Sequence, residues 1–345
     1  MKKNIIFTLL CFFCFNCTTT TSPNENTNVI TKNYGSGTPC GGGVMVLNNQ
    51  VYRSYEGGIA PLDTDLNINA SARIGNYSQN NIYHIEIVND NVWFAIKNGN
   101  NTGEIKVMNS NGLEINQFPV GINPGDIAYW SDKENHANSW TFIANEGIYN
   151  SMEPTNTGTI SMIDSNGNIQ ETESLGDIIH SLAIYENKLI VSVNNSQKIL
   201  LFDISSSGIN NKIEISTENN LSPREIVIIE DKAYFGAWDI DYNVYQIYPG
   251  FVQVLNLNTL EIEANIPVGI MPEGILVHNN ILWVANSGES TISKINISSN
   301  SVSNTIEVGQ GPTNLINHEK NIYISRTFYN ADWETFYGSS KIILQ

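Results

Sequence analysis

Short apolar stretches alternate with polar turns along most of the chain. From residue 44 onward, runs of Val, Ile, Leu and aromatic residues break at Asn, Asp, Gly or Ser and then start again. Short runs rich in β-branched and aromatic residues, bounded by turn residues, predict β-strands. Residues 274–308 show the unit most clearly, with four successive strands in the segments GILVH, ILWVAN, TISKIN and SNTIEV.

This unit returns seven times. Each copy has an apolar anchor that starts the first strand, and these anchors are Val44, Ile85, Ile127, Leu182, Ile226, Ile275 and Leu315. A large residue of the second strand follows each anchor, and these are Tyr52, Trp93, Phe142, Ile190, Tyr234, Trp283 and Tyr323. Anchor and large residue are eight positions apart in six copies, and in the third copy residues 130–138 lengthen the turn.

The large residues lie 41, 49, 48, 44, 49 and 40 positions apart. A period in the forties with several strands per repeat is typical of propeller blades, each of which buries its faces only against its neighbours. A β-sandwich is the alternative, but it does not explain seven evenly spaced anchors. The sequence therefore predicts an all-β fold, a seven-bladed β-propeller of four-stranded antiparallel blades.

The chain ends on KIILQ, which supplies only a third strand for the seventh blade. The free apolar stretch at the other end is residues 28–34. Pairing of these two segments would remove an exposed sheet edge, which is otherwise a template for aggregation. We therefore expect an N-terminal strand to close the ring.

Several of these segments resemble a known repeat. LWVAN at 282–286, ISKIN at 292–296 and TIEVGQGP at 305–312 are similar to the YVTN-type repeat of bacterial cell-surface and periplasmic propellers. IPVGIMP at 266–272 and FPVGINP at 118–124 repeat its closing element. The resemblance covers about residues 44–345 and is strongest in the fifth and sixth blades. It implies a propeller of the bacterial cell envelope.

The N-terminus has the features of an export signal. Met1, Lys2 and Lys3 form a short basic segment before an apolar stretch at 5–15 that is too short to span a bilayer stably. Cys17, followed by a polar stretch, resembles the lipidated cysteine of bacterial lipoproteins. Residues 14–16 depart from the usual lipobox, so cleavage by ordinary signal peptidase and free secretion is the alternative.

The predicted organisation is a lipoprotein signal peptide and lipobox at 1–17, a polar tether at 18–27 and a seven-bladed propeller at 28–345. We expect a lipid anchor in the outer membrane, with the domain in the periplasm or on the cell surface. After the signal peptide, no stretch approaches eighteen apolar residues. Membrane contact is therefore expected through the lipid anchor only.

The charge balance narrows the possible partners. The 345 residues include 17 Lys and Arg against 34 Asp and Glu, a net charge of −17. Such a chain repels nucleic-acid phosphates, so a nucleic-acid partner is not expected. No nucleophile elbow, paired-cysteine metal site, phosphate loop or dinucleotide fingerprint is present. The sequence therefore favours a binding scaffold with no required cofactor over an enzyme.

The two residues before each anchor are predicted to circle one mouth of the central channel. The ligand-binding candidates among them are Tyr83, His84, Asp126, His180, Arg224, Glu225, Glu273 and Asn314. Two long loops rich in aromatic residues, 238–251 and 326–338, add Tyr245 and Trp333. Rigid rings with polar tips suit recognition, and the expected partner is a protein or carbohydrate. The alternatives are a polar wall around a water-filled channel and rings that bury one another.

His84 and His180 are the two histidines placed near the channel mouth. With Asp126, Glu225 or Glu273 they have the donor types that several divalent metals accept. Related propellers include lactone-hydrolysing and lyase enzymes with a metal in the channel. The alternative function is therefore a metal-assisted hydrolase or lyase of the lactonase-like type, by analogy of fold alone.

Overall fold

The computed structural model of the protein describes residues 28–36, 43–77, 82–148, 155–241, 244, 246–330 and 334–344. These residues form seven antiparallel sheets, and each sheet is one blade of a seven-bladed β-propeller. The helices among them are two single turns of 3₁₀ helix, Ala70–Ala72 and Glu218–Asn220. Neither has the length or the apolar character that a membrane span requires.

The strands follow the repeats of the sequence. Strand β1 is Asn28–Ser36. Blade 1 contains β2 (Val44–Leu47), β3 (Gln50–Tyr55) and β4 (Gly58–Pro61). Blade 2 contains β5 (Ile82–Val88), β6 (Asn91–Asn98), β7 (Asn101–Met108) and β8 (Glu114–Ile122). Blade 3 contains β9 (Pro124–Ser131), β10 (Ser139–Asn145), β11 (Thr159–Asp164) and β12 (Ile169–Glu171). Blade 4 contains β13 (Ile179–Tyr185), β14 (Lys188–Val193), β15 (Lys198–Ser205) and β16 (Gly208–Ser216).

The remaining blades have the same plan. Blade 5 contains β17 (Ser222–Ile229), β18 (Lys232–Asp241), β19 (Gln246–Asn256) and β20 (Ile262–Ile270). Blade 6 contains β21 (Pro272–His278), β22 (Ile281–Asn286), β23 (Thr291–Asn296) and β24 (Ser301–Glu307). Blade 7 contains β25 (Pro312–His318), β26 (Asn321–Tyr329) and β27 (Thr335–Ile343), with β1 as its fourth strand.

The ring closes through strands from both ends of the chain. Strand β1 pairs antiparallel with β27, from Asn28 opposite Ile343 to Ser36 opposite Phe336. The first strands of consecutive blades are neighbours, and β2 of blade 1 lies beside β25 of blade 7. The pairing expected between the two terminal apolar segments is therefore present, and it covers the edge of β27.

Blade 1 is the exception to the four-stranded plan. Its sheet has three strands, and the fourth position is reduced to isolated bridges of Ile59 with Ile74 and Leu62 with Ile68. The rest of the ring has the predicted four strands per blade.

Tight turns start several blades. The hairpins β2–β3, β5–β6 and β21–β22 each turn on two residues with positive φ, at Asn48–Asn49, Asn89–Asp90 and Asn279–Asn280. Two-residue hairpin turns of this kind match the twist of the strands and favour Asn and Asp because these residues tolerate positive φ. The polar breaks in the sequence are therefore the turns of the first hairpins.

The repeat register is uniform around the ring. Each large residue of the second strand pairs with the residue directly after its anchor, from Tyr52 opposite Met45 in blade 1 to Tyr323 opposite Ile316 in blade 7. Trp93 lies opposite Glu86, and Trp283 opposite Leu276, in the same way. The extra turn predicted in blade 3 lies between Ser131 and Ser139. The predicted seven-blade fold is confirmed.

The core lies between the blades. The buried hydrophobic residues of the described chain form seven clusters, one at each interface between neighbouring blades. Trp283 is in the cluster of blades 6 and 7, Trp93 packs in that of blades 2 and 3, and Tyr323 is in that of blades 7 and 1. Each sheet therefore buries its faces against its neighbours, as the repeat requires.

The seam between blades 7 and 1 also holds two buried arginines. The Arg53 guanidinium donates to Ser339 Oγ at 3.2 Å and lies 5.5 Å from the ring centroids of both Tyr34 and Tyr337. Arg326 donates to the backbone oxygen of Lys32 in β1 at 3.1 Å. Stacking on aromatic faces and bonds to oxygen atoms offset the cost of burying these guanidinium groups.

Candidate functional site

The residues before the anchors lie in β-bulges. In blade 2 the pairing of β5 with β6 skips between Ile82 and His84, and blades 3 to 7 have a skip at the equivalent place. A bulge inserts an unpaired residue and re-aims its side chain. This position places Tyr83, His180, Arg224 and Glu273 at the same end of the first strands, which we call the channel mouth.

One set of side chains joins five blades across the mouth. The Tyr83 hydroxyl donates to Glu146 Oε2 at 2.6 Å, and Glu146 Oε1 lies 3.7 Å from Nδ1 of His180. His180 Nε2 in turn lies 3.8 Å from Glu273 Oε1. Glu273 also accepts two hydrogen bonds from Arg224, one of them from Nε at 3.0 Å. These contacts link blades 2, 3, 4, 5 and 6.

Arg224 also stacks on an aromatic ring. Its guanidinium carbon lies 3.9 Å from the centroid of Trp238, whose Nε1 donates to the backbone oxygen of Pro272 at 2.9 Å. Burial lowers the pKa of Arg224, but Glu273, with smaller contributions from Glu146 and Tyr83, outweighs burial, so that the pKa is raised. The mouth therefore already contains one cation held between an aromatic face and a carboxylate.

A second set of donors surrounds His84. Its Nε2 atom lies 3.6 Å from Glu86 Oε2 and 3.6 Å from Asp126 Oδ1. This nitrogen is buried and has no hydrogen-bond partner among the described residues. Burial lowers the pKa of His84, but the contacts with Glu86 and Asp126 outweigh it, so that the pKa is raised. The three side chains together are a group that could hold a metal ion.

The residues directly before the anchors also tie neighbouring blades together. Asp126 Oδ2 accepts hydrogen bonds from the backbone N–H of Leu182 at 2.7 Å and from Ser181 Oγ at 2.9 Å. Asn314 Oδ1 accepts from the backbone N–H of Val44 at 3.1 Å, across the closure of the ring. Each bond joins one blade to the next, and those of Leu182 and Val44 are made by the anchors themselves. Asn314 thus has a structural role at the seam, away from the two sets of donors.

Glu225 differs from the other acidic residues of the channel mouth in the contacts of its carboxylate. The hydrogen bonds and ion pairs of the described residues include none to its carboxylate. Its pKa is raised well above the ordinary value, chiefly by burial and then by the nearby charges of Asp126, Glu273 and Glu86. Burial also raises the pKa of Tyr83, and Glu146 adds to the effect. The mouth therefore concentrates negative charge in a poorly solvated place.

Three of the predicted functional residues, Cys17, Tyr245 and Trp333, lie outside the described residues. The segments around the latter two differ from the long loops that the sequence suggested. Asp239 pairs with Tyr248 and Thr327 with Tyr337, so the strands of blades 5 and 7 continue as extended hairpins.

Sequence reasoning missed several members of the site. Glu86 lies two residues after His84 on β5, and the two-residue period of a strand could have indicated that they share a face. Glu146 follows the end of β10, in a connection that carries no motif. The predicted metal candidates separate into two sets, with His84 beside Asp126 and His180 beside Glu273.

Comparison with known proteins shows the fold alone. No protein-family model matches the chain, and no curated protein matches it. The hydrazine synthase of Kuenenia stuttgartiensis aligns with a TM-score of 0.63 at 12% identity, over 88% of this chain and 96% of that one. The computationally designed protein Ika8 aligns with a TM-score of 0.54 at 13% identity, over 88% of this chain and 98% of that one.

Proposed function

We propose that the protein is a cell-envelope lipoprotein that acts as a binding scaffold and holds a cationic group of its ligand at the channel mouth. The observation that carries this proposal is the gathering of carboxylates from four blades at one end of the ring: Glu86, Asp126, Glu146, Glu225 and Glu273. Arg224 forms a salt bridge with Glu273, and the other four carboxylates have no arginine or lysine partner among the described residues.

The electrostatics of Glu225 indicate what such a site binds. Burial and like-charged neighbours raise its pKa because the ionised form is poorly stabilised there. A guanidinium or ammonium group that entered the mouth would stabilise that ionised form, so binding and ionisation favour each other. Arg224 on Trp238 shows how this surface holds a cation. An arginine-rich loop of a partner protein fits this chemistry.

Short charged peptides test the binding site. We expect a hexa-arginine peptide to bind the purified protein in low salt, and a hexa-glutamate peptide not to bind. Glu225→Gln should weaken hexa-arginine binding about tenfold, or about 1.4 kcal/mol. Glu230→Gln, in the turn at the far end of the same blade, is the matched control. Equal affinity for the two peptides, or equal effects of the two variants, would contradict the proposal.

The place in the envelope rests on the sequence. Cys17, the polar segment after it and the resemblance to YVTN-type propellers all support an anchored envelope protein. Cys17→Ser should release the protein into the soluble fraction or block its processing, as measured by cell fractionation and mass spectrometry of the N-terminus. Unchanged membrane partition of that variant would contradict the anchor, and protease shaving would distinguish the two faces of the membrane.

A metal-assisted hydrolase or lyase is the second candidate, and the donors around His84 are the observation that favours it. A propeller channel with a divalent ion and a bound water has the parts that metal-assisted hydrolysis needs. The test is hydrolysis of a panel of lactones by metal-loaded protein. Activity that survives complete removal of the metal, or that is absent with every metal, would exclude this candidate.

A further inference from the structure

We infer that His84, Glu86 and Asp126 form a binding site for one divalent transition-metal ion at the channel mouth. The three residues come from the first strands of blades 2 and 3. Each offers one donor atom, and these atoms lie within 4.8 Å of one another. The inference deepens the proposed function by naming one cation that the acidic mouth takes, and it rests on that function only for the surplus of carboxylates there.

The spacing of the donors fits a metal better than a hydrogen-bonded triad. His84 Nε2 lies 3.6 Å from each carboxylate oxygen, which is too long for an N–H···O hydrogen bond. Two ligands with bonds of about 2.1 Å to a shared ion are about 3.0 to 3.5 Å apart, depending on the angle between them. Small rotations of the side chains would therefore bring all three atoms onto one ion.

The buried nitrogen is the second, independent observation. His84 Nε2 is shielded from solvent and has no hydrogen-bond partner among the described residues. A buried polar atom without a partner carries a free-energy penalty, and such atoms in folded proteins call for an ion, a water or a functional explanation. This atom points at the two carboxylates, and an ion between them would satisfy it.

Backbone N–H groups orient both carboxylates by hydrogen bonds to the oxygen that lies away from His84. Glu86 Oε1 accepts a hydrogen bond from the N–H of Ile87 at 2.9 Å, which leaves Oε2 towards His84. Asp126 Oδ2 accepts from Leu182 N–H and Ser181 Oγ, as described above, while Oδ1 lies towards His84 and also accepts from the N–H of Ile127 at 2.9 Å. Hydrogen bonds of this kind fix ligating carboxylates in known metal sites.

Charge and donor type select the class of ion. Neither Glu86 nor Asp126 forms a salt bridge with a lysine or arginine among the described residues, and a protonated His84 would offset only one of their two negative charges. A divalent ion neutralises this set. One imidazole with two carboxylates suits Zn²⁺, Mn²⁺, Fe²⁺ or Co²⁺, whereas Ca²⁺ and Mg²⁺ prefer oxygen ligands alone. Three protein ligands also leave coordination positions for water.

Calorimetric titration of the full-length processed protein, stripped with chelator, tests the site with Zn²⁺, Mn²⁺ and Ca²⁺ as probes. We expect one equivalent of Zn²⁺ to bind at micromolar or lower concentration, and Ca²⁺ to bind at least tenfold more weakly. His84→Gln and Glu86→Gln should each weaken Zn²⁺ binding by about tenfold or more. His318→Gln, a histidine at the end of a first strand in blade 7, is the matched control and should bind as wild type.

Asp126→Asn is a poor test because Asp126 also links blades 3 and 4. Glu86 is the safer position, since its side chain is 40% exposed and glutamine keeps its shape. Co²⁺ supplies a second readout, because its visible spectrum reports a nitrogen ligand and should change in His84→Gln.

The outcomes separate this inference from the proposed function. Failure of the wild type to bind a stoichiometric metal, or equal binding by His84→Gln and wild type, would overturn the metal site. Hexa-arginine binding by the same chelator-treated protein would then leave the cation-binding function standing. Stoichiometric metal binding without any affinity for hexa-arginine would support the metal site and contradict the proposed cation-binding function.

Discussion

Replacement of Trp283 by alanine tests the packing between blades most directly. Trp283 is only 4% exposed and packs with Ile292, Leu315 and Ile322 in the cluster between blades 6 and 7. Burial of about 200 Å² of aromatic side chain at about 25 cal/mol/Å² sets an upper value of about 5 kcal/mol. Large-to-small substitutions in cores cost about 3 to 5 kcal/mol, and we expect Trp283→Ala to fall in that range.

A milder substitution at the same position sharpens the test. Trp283 Nε1 is buried without a hydrogen-bond partner among the described residues, so the indole N–H adds little to stability. Trp283→Phe should therefore cost only about 1 kcal/mol, because it keeps most ring contacts and removes an unsatisfied donor. Leu113→Ala is the surface control, since Leu113 is 65% exposed, and it should cost less than about 0.5 kcal/mol.

The assay is equilibrium unfolding in guanidinium chloride, followed by circular dichroism and by fluorescence. A lower midpoint with an unchanged denaturant slope would mean that only the stability changed. If Trp283→Ala unfolds within about 1 kcal/mol of the wild type, the residue does not lie between two sheets and the register of blade 6 is wrong. If Trp283→Phe costs as much as Trp283→Ala, the indole N–H has a partner that the structure does not show.

Three further predictions concern the seam and the turns. Deletion of residues 28–36 uncovers the edge of β27, so we expect soluble oligomers by light scattering, and a stable monomer would contradict closure by β1. Arg53→Lys keeps the charge but loses the planar contacts with two tyrosines, and denaturation should show a loss of about 2 kcal/mol. Hydrogen bonds from Asn168 lower the pKa of Asp164, so Asp164→Ala should cost about 1 kcal/mol near neutral pH. That cost should vanish as the pH falls through the folded-state pKa of Asp164, because the wild type then loses the same bonds, and a constant cost would contradict this reasoning.

The fold could be predicted from the sequence because each blade is a local pattern. Strand lengths, Asn-rich turns and the distance from anchor to large residue are properties of short segments, and they recur. The N-terminal closure followed from a shortage of one strand at the C-terminus. The reduced fourth strand of blade 1 was not predicted, because residues 58–74 contain apolar residues whose pairing depends on a loop conformation.

The site could be predicted only in part. Position before an anchor indicated Tyr83, His180, Arg224 and Glu273, because the repeat fixes which end of a strand a residue occupies. The partner of Tyr83 and His180 is Glu146, which lies outside the repeat pattern and reaches them from the end of a second strand. Contacts of this kind depend on side-chain rotamers and on the neighbouring blade, and neither is visible in a single sequence.

In the bulges before the anchors, consecutive residues line the channel mouth and hold neighbouring blades together. In blade 4, His180 turns towards Glu146 and Glu273, while the next residue, Ser181, accepts a weak hydrogen bond of 3.4 Å from the backbone N–H of Ile226 in blade 5. One of the paired positions therefore faces the channel while the other holds the adjacent blade. Because the two are consecutive, the ring that supports the site and the site itself share the same backbone. In blade 4, a substitution of His180 therefore tests function, whereas one of Ser181 tests assembly; in blades 2 and 5 the second position, held by His84 and Glu225, belongs to the site as well.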